Sequence, residues 1–149
     1  MANVRNLLQR KKKSFWTISP ESSAYEAIQI MVSHDVGALV VMNDSQMVGI
    51  ITERDYIRKV LLGKRHLDDI RIREIMTEKV ISVSPDQTVD GCMALMIDHQ
   101  IRHLPVMENG KPMGIISIRD VVNQVVSDQE FMISQLENYI MACPVDFKR

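Results

Sequence analysis

The chain has 149 residues, room for one ordinary domain or two very small ones. Apolar residues make up 46% and charged residues 25%, a globular composition that excludes low-complexity disorder. Eighteen Lys and Arg against 19 Asp and Glu leave a net charge of −1, without the positive excess of a duplex-DNA binder, and no apolar run reaches the roughly 18 residues of a membrane span.

The N-terminus lacks the apolar core of a signal peptide, and Met1-Ala2-Asn3 reads as an intact start. Two cysteines, Cys92 and Cys143, make no disulfide framework, which suits a reducing cytoplasm. Arg10-Lys11-Lys12-Lys13 is a basic run and reads as a solvated loop, with nucleic-acid contact the lesser alternative. Phe15 to Ile18 is a short strand candidate, stopped by Ser19-Pro20. Ala24, Ala27, Ile28, Met31 and Val32 follow at helical spacing and predict one apolar helix face. Ala38 to Met42 and Met47 to Thr52 flank Asn43-Asp44-Ser45-Gln46, a hairpin signal. Tyr56, Ile57, Val60 and Leu61 then predict a second helix.

The same series returns 65 residues later. Ser84-Pro85 repeats Ser19-Pro20, His99 repeats His34, Gly114-Ile115-Ile116 repeats Gly49-Ile50-Ile51, and Arg119-Asp120 repeats Arg54-Asp55. Val80 to Val83 is the strand candidate; Val89, Cys92, Met93, Met96 and Ile97 form the helix face. Leu104 to Met107 and Met113 to Ser117 flank Glu108-Asn109-Gly110-Lys111, and Val121, Val122, Val125 and Val126 begin the closing helix. Upstream the offset is 68, pairing Val4 to Leu8 with Ile72 to Met76, so the loop holding the basic run is about three residues longer than its counterpart. The fold class expected is α/β (α+β), a tandem repeat of two β-α-β-β-α units at 1–67 and 68–127, with a helical extension at 128–149. A unit of about 60 residues buries too little surface to stand alone comfortably, so the copies are expected to share a core about a pseudo-twofold axis. Pro105 favours an edge position for its strand.

The repeated pattern, Arg102-His103-Leu104-Pro105-Val106, and the pair Gly49 to Asp55 and Gly114 to Asp120 resemble the CBS (cystathionine β-synthase) domain family over roughly residues 3 to 127. The resemblance is to a stand-alone CBS pair, or Bateman module. It implies a regulatory module that binds adenosine-containing ligands (AMP, ADP, ATP, S-adenosylmethionine, in some cases NAD) in clefts between the copies and acts on a partner protein. No further cofactor is implied.

Thr52-x-x-Asp55 and Ser117-x-x-Asp120 have the form of helix capping boxes, and that is their plain structural reading. A carboxylate also suits the two donors of a ribose cis-diol, and a helix N-terminus with an adjacent arginine suits phosphate. The family's arrangement then implies one site of Thr52, Arg54 and Asp55 closed by Ile81, Arg102 and His103, and another of Ser117, Arg119 and Asp120 closed by Trp16, Gly37 and Ala38. Arg102-His103 can meet phosphate and Gly37-Ala38 cannot, so the Asp55 site is expected to be better equipped for charge, with Arg119 within possible reach of it. Trp16 suits either base stacking or the core. His34 and His99 read as helix-end charge compensation rather than a metal pair, Cys92 as an inert core thiol, and the eleven methionines as mostly core filler. No Walker P-loop, His-Glu-x-x-His or Gly-x-Ser-x-Gly is present, which argues against an enzyme.

Val122, Val125, Val126, Gln129, Ile133, Leu136 and Ile140 lie near one helical face, predicting a last helix from about Ile118 to Met141. The plain reading packs it back on the module; the family resemblance implies a homodimer, discs together, to which this helix contributes. The alternative to a nucleotide sensor is an interaction and dimerisation module with empty clefts.

Overall fold

The structure is a computed structural model that describes residues 2–11 and 15–142. Lys12, Lys13 and Cys143 lie outside the described residues. The elements run α1 (Val4–Arg10), β1 (Thr17–Ile18), α2 (Ala24–His34), β2 (Ala38–Asn43), β3 (Gln46–Thr52), α3 (Glu53–Asp55), a π-helical turn (Tyr56–Val60), a 3-10 turn (Leu67–Asp69), α4 (Ile72–Ile75), α5 (Val89–His99), β4 (His103–Glu108), β5 (Lys111–Ser117) and α6 (Ile118–Ala142). The mixed repeat expected from the sequence is the fold observed.

In the first copy β1 runs parallel to β2, and β2 antiparallel to β3. In the second, β4 and β5 pair antiparallel with the same register shift, at Val106/Met107 where the first copy has it at Val41/Met42. The expected strand over Val80 to Val83 does not form; it shrinks to one parallel bridge, Val83 to Val106. The expected four-residue hairpin loops are shorter too, because Asn43 pairs with Gln46 and Glu108 with Lys111. Asn109 and Gly110 both adopt positive φ (54° and 77°), the twist a two-residue turn needs. Pro105 accepts from Val83 N–H at 3.0 Å, so its imino nitrogen faces a side where no strand continues, as its edge position requires.

Ser23 and Thr88 cap α2 and α5 with side-chain oxygens, and Asp35 and Gln100 end them in the left-handed conformation. Their apolar faces are narrower than the spacing predicts. Ala24, Ala27 and Met31, like Val89, Cys92 and Met96, are buried, whereas Val32 and Ile97 are exposed. The eighth position has drifted past the packed stripe in both copies. The helix expected at Tyr56 is a short α turn continued as a π turn that buries Tyr56 and Val60 and leaves Ile57 and Leu61 outside.

Three buried clusters hold the molecule together. One is built on the first copy but includes Ile70, Ile72 and Ile75; a second is built on the second copy but includes Val4 and Leu7. Each copy is therefore closed by the other's leading helix. The backbone repeats the exchange: Val4 and Arg5 N–H donate to the carbonyls of Gln87 and Pro85, and Ile72 and Arg73 N–H to those of Ser22 and Pro20. The third cluster joins the copies, placing Ala38, Val40 and Ile50 against Ile115.

The glycine of each Gly-Ile-Ile makes this docking possible. A Cβ on Gly49 would lie 2.8 Å from Met76 Sδ and 2.9 Å from the Thr77 carbonyl; one on Gly114 would lie 2.8 Å from Leu8 Cδ2. No helix among the described residues is long and apolar enough to cross a membrane.

Candidate functional site

A cleft of about 480 Å³ opens between the copies. Thr52, Arg54 and Asp55 reach it from the β3–α3 junction, and Ile81, Arg102 and His103 from the second copy. All six residues expected at the first site thus meet in one cavity. Others share it that the motif reading missed: Glu53, Arg58, Thr77, Lys79, His99 and Gln100. Thr77 and Lys79 could have been found by running the 68-residue offset on past Met76, which aligns Lys79 with Lys11.

Asp55 is buried at the head of α3. Its Oδ2 accepts from Thr52 N–H at 2.9 Å and the Thr52 hydroxyl at 3.1 Å. Its Oδ1 accepts from the Thr77 hydroxyl at 3.3 Å and lies 3.3 Å from Lys59 Nζ. The capping box is real, and the same carboxylate edges the cleft. Two of its donors are hydroxyls, which can rotate toward an incoming group without any backbone change. Arg54 donates to the Gln100 carbonyl at the end of α5, tying the mouth of the cleft across the copies. Arg54, Arg58, Lys79 and Arg102 give it four cationic side chains against Glu53 and Asp55.

His103 packs where the copies touch, its Nε2 3.1 Å from where a Gly37 Cβ would stand. Burial lowers its pKa to about 4, and the charges of Lys11 and Arg102 act the same way against the opposing pull of Asp120. The imidazole is neutral at pH 7 and offers one donor and one acceptor.

The second set of residues is arranged differently. Ser117 N–H donates to Asp120 Oδ2 at 2.8 Å, and Asp120 N–H to the Ser117 hydroxyl at 3.2 Å. Lys11 Nζ, expected in solvent, turns inward and bonds Asp120 Oδ2 and the Ile115 carbonyl, both at 2.8 Å. Arg10 stays exposed while its guanidinium donates to the Gln124 side-chain oxygen at 3.2 Å. Burial pushes the Asp120 carboxyl up, but the Lys11 and Ser117 hydrogen bonds and the Lys11 charge outweigh it and hold the group below its ordinary value. Trp16 stays outside the buried clusters, 37% exposed, and its ring stacks on His34 with centroids 3.5 Å apart. Ala38 is buried in the cluster shared by the copies, and Gly37 is pressed against His103 and Glu53. Arg119 is exposed and is not among the residues lining the Asp55 cleft.

His34 and His99 end their helices as expected. Among the described residues no group of three His, Cys, Asp or Glu could hold a metal. Cys92 is fully buried and free, its thiol pushed up to about 11 by burial, as an inert core thiol should be.

The CBS domain family model matches residues 4–62 and 72–127, one copy each. The chain belongs to the CBS domain family. This CBS pair is 40% identical over 147 residues to the CBS domain-containing protein CBSX3, mitochondrial, of Arabidopsis thaliana, covering 92% of this chain and 71% of that protein. It is 30% identical over 113 residues to the CBS domain-containing protein YhcV of Bacillus subtilis, covering 75% of this chain and 80% of that protein. A solved CBS-domain protein from Burkholderia ambifaria superposes with a TM-score of 0.82 at 44% identity, over 86% of this chain and 96% of that one. The CBS domain NE2398 does so with a TM-score of 0.80 at 42% identity, over 84% and 98%. These solved chains are spanned almost whole while part of this CBS pair is left over. CBS pairs are regulatory modules, which is the coarse function of this one.

Proposed function

We propose that the Asp55 cleft binds an adenosine-containing ligand and that its occupancy regulates a partner protein, without catalysis, in the cytoplasm. The observation that carries this reading is the meeting of Thr52, Arg54, Asp55, Ile81, Arg102 and His103 from two copies in one cavity. A solved CBS pair, protein MJ0100, 26% identical with a TM-score of 0.73, is in complex with 5′-methylthioadenosine and S-adenosylmethionine, which supports an adenosine ligand here. In this reading the Thr52 and Thr77 hydroxyls turn away, and Asp55 accepts the ribose diol. The apolar side of the purine lies against Ile81 and Ile101. Phosphates face Arg54, Arg58, Lys79 and Arg102, which favours ADP or ATP over uncharged adenosines. Asp120, Ser117 and Arg119 would form a second, weaker site that must draw Lys11 off its carboxylate. A ligand can shift the two copies only by differential affinity for two arrangements, and a cleft lined by both copies supplies that difference.

A thermal-shift panel of AMP, ADP, ATP, NAD and S-adenosylmethionine tests this. A ligand present at 100 times its Kd should add about 2.7 kcal/mol of stability. Asp55→Asn and Arg102→Ala should each reduce the shift, Arg102→Ala more for ATP than for AMP. No shift with any ligand at millimolar concentration, or shifts untouched by both substitutions, would overturn the reading.

A further inference from the structure

The first turns of α6 are fixed to the module by Val121 and Gln124, both buried. From Val126 to Ala142 the helix runs on for about 25 Å with no packed face. Most of the exposed large apolar residues of α6 share one face, while Phe131, 66% exposed on the opposite side, and Met141 lie off it. Val122, Val126, Met132, Ile133, Leu136, Tyr139 and Ile140, each 44 to 69% exposed, fall on one stripe. Its area is on the order of 700 Å², above the roughly 300 to 600 Å² of the largest patch on a typical monomer and close to the roughly 800 Å² each partner gives a standard interface.

We propose that α6 pairs with α6 of a second copy of this chain as a parallel two-stranded coiled coil. Val122, Val126, Gln129, Ile133, Leu136 and Ile140 follow one another at alternating spacings of four and three residues, the seam of a heptad. Val126, Ile133 and Ile140, all β-branched, take the a positions; Val122, Gln129 and Leu136 take d. β-Branched residues at all three a positions, with leucine at one of the three d positions, favour two strands over larger bundles. The polar layer also selects the direction. In a parallel, in-register pair Gln129 meets its own counterpart, and two amides satisfy each other; antiparallel packing sets Gln129 against Ile133 and leaves the amide buried without a partner. Charge agrees. Glu130 and Glu137 flank the seam on one side, with Met132 and Tyr139 on the other. Parallel packing lays each glutamate beside an apolar neighbour, whereas antiparallel packing brings Glu130 against Glu130. The proposal is independent of what the cleft binds.

The test is the mass of the full chain in solution by sedimentation equilibrium across a micromolar range, with its direction read by cross-linking. Wild type should be a dimer. Ile133→Asp with Leu136→Asp should be a monomer with the far-UV spectrum of the module retained, while Glu130→Gln should stay dimeric. In a Cys143→Ser background, Leu136→Cys should oxidise readily to a covalent dimer, and Asn138→Cys, on the outer face, should not. A monomeric wild type, or a dimer that survives the double aspartate variant, would overturn the pairing. Failure of Leu136→Cys to cross-link within a dimer would overturn its parallel direction.

Discussion

At the scale of single residues, Lys11 and Asp120 carry the least expected result. A half-buried ammonium satisfies the carboxylate at the head of α6 and the Ile115 carbonyl, so one side chain links α1 to the β5–α6 junction. Lys11→Met keeps the aliphatic stem and leaves the carboxylate without its cation, at a cost of about 1 to 3 kcal/mol at pH 7. The sign with pH follows from Asp120. Its folded value is held below that of the unfolded chain, so the stabilisation is present above about pH 4 and is lost as pH falls through the folded value. The gap in Tm between wild type and Lys11→Met should therefore be widest near neutrality and narrow as pH falls below the ordinary carboxylate range. A gap that does not narrow in acid would show that the pair contributes no such stabilisation. The sequence made Thr52, Arg54 and Asp55 visible through a motif that occurs twice, and Ile81, Arg102 and His103 only through the family resemblance, since Trp16, Gly37 and Ala38 stand at the equivalent positions of the first copy. It could not reveal Lys11. A run of four cations looks solvated, and which one turns inward is decided by a contact more than 100 residues away.

At the scale of elements, the repeat made nearly every strand and helix legible, and the misses share a cause. The Val80 to Val83 segment has strand-forming residues but only Val83 pairs, so pattern without a neighbour yields a single bridge. Val32 and Ile97 sit on the predicted apolar faces yet are exposed, because eight residues overshoot the stripe that each sheet covers. The glycines were seen as repeat markers, and their work is steric. Gly49→Ala should destabilise the protein by about 1 to 3 kcal/mol in a urea titration, since its new methyl meets the Thr77 carbonyl, a backbone atom. Gly114→Ala should cost less, because Leu8 can turn aside. The reverse order would mean that the α1 docking is the tighter of the two.

At the scale of the whole molecule, the opposite copies close each other's cores. Val4 and Leu7 complete the second cluster, and Ile70, Ile72 and Ile75 the first. The break between the sequence copies is therefore not a break in the structure. Cutting the exposed connector near Gly63 should leave a single particle on gel filtration under native conditions, separable only in denaturant. Release of either fragment without denaturant would contradict the exchange. The same arrangement implies an order of events for the lineage. A lone copy has a leading helix with nowhere of its own to dock and a core with no helix to close it, so two separate chains trading arms satisfy both. Joining two such chains end to end gives the arrangement observed. Only after that joining could Lys11 and Lys79, once the same residue on equal subunits, take different surroundings, and a symmetric object become able to answer differently at its two faces.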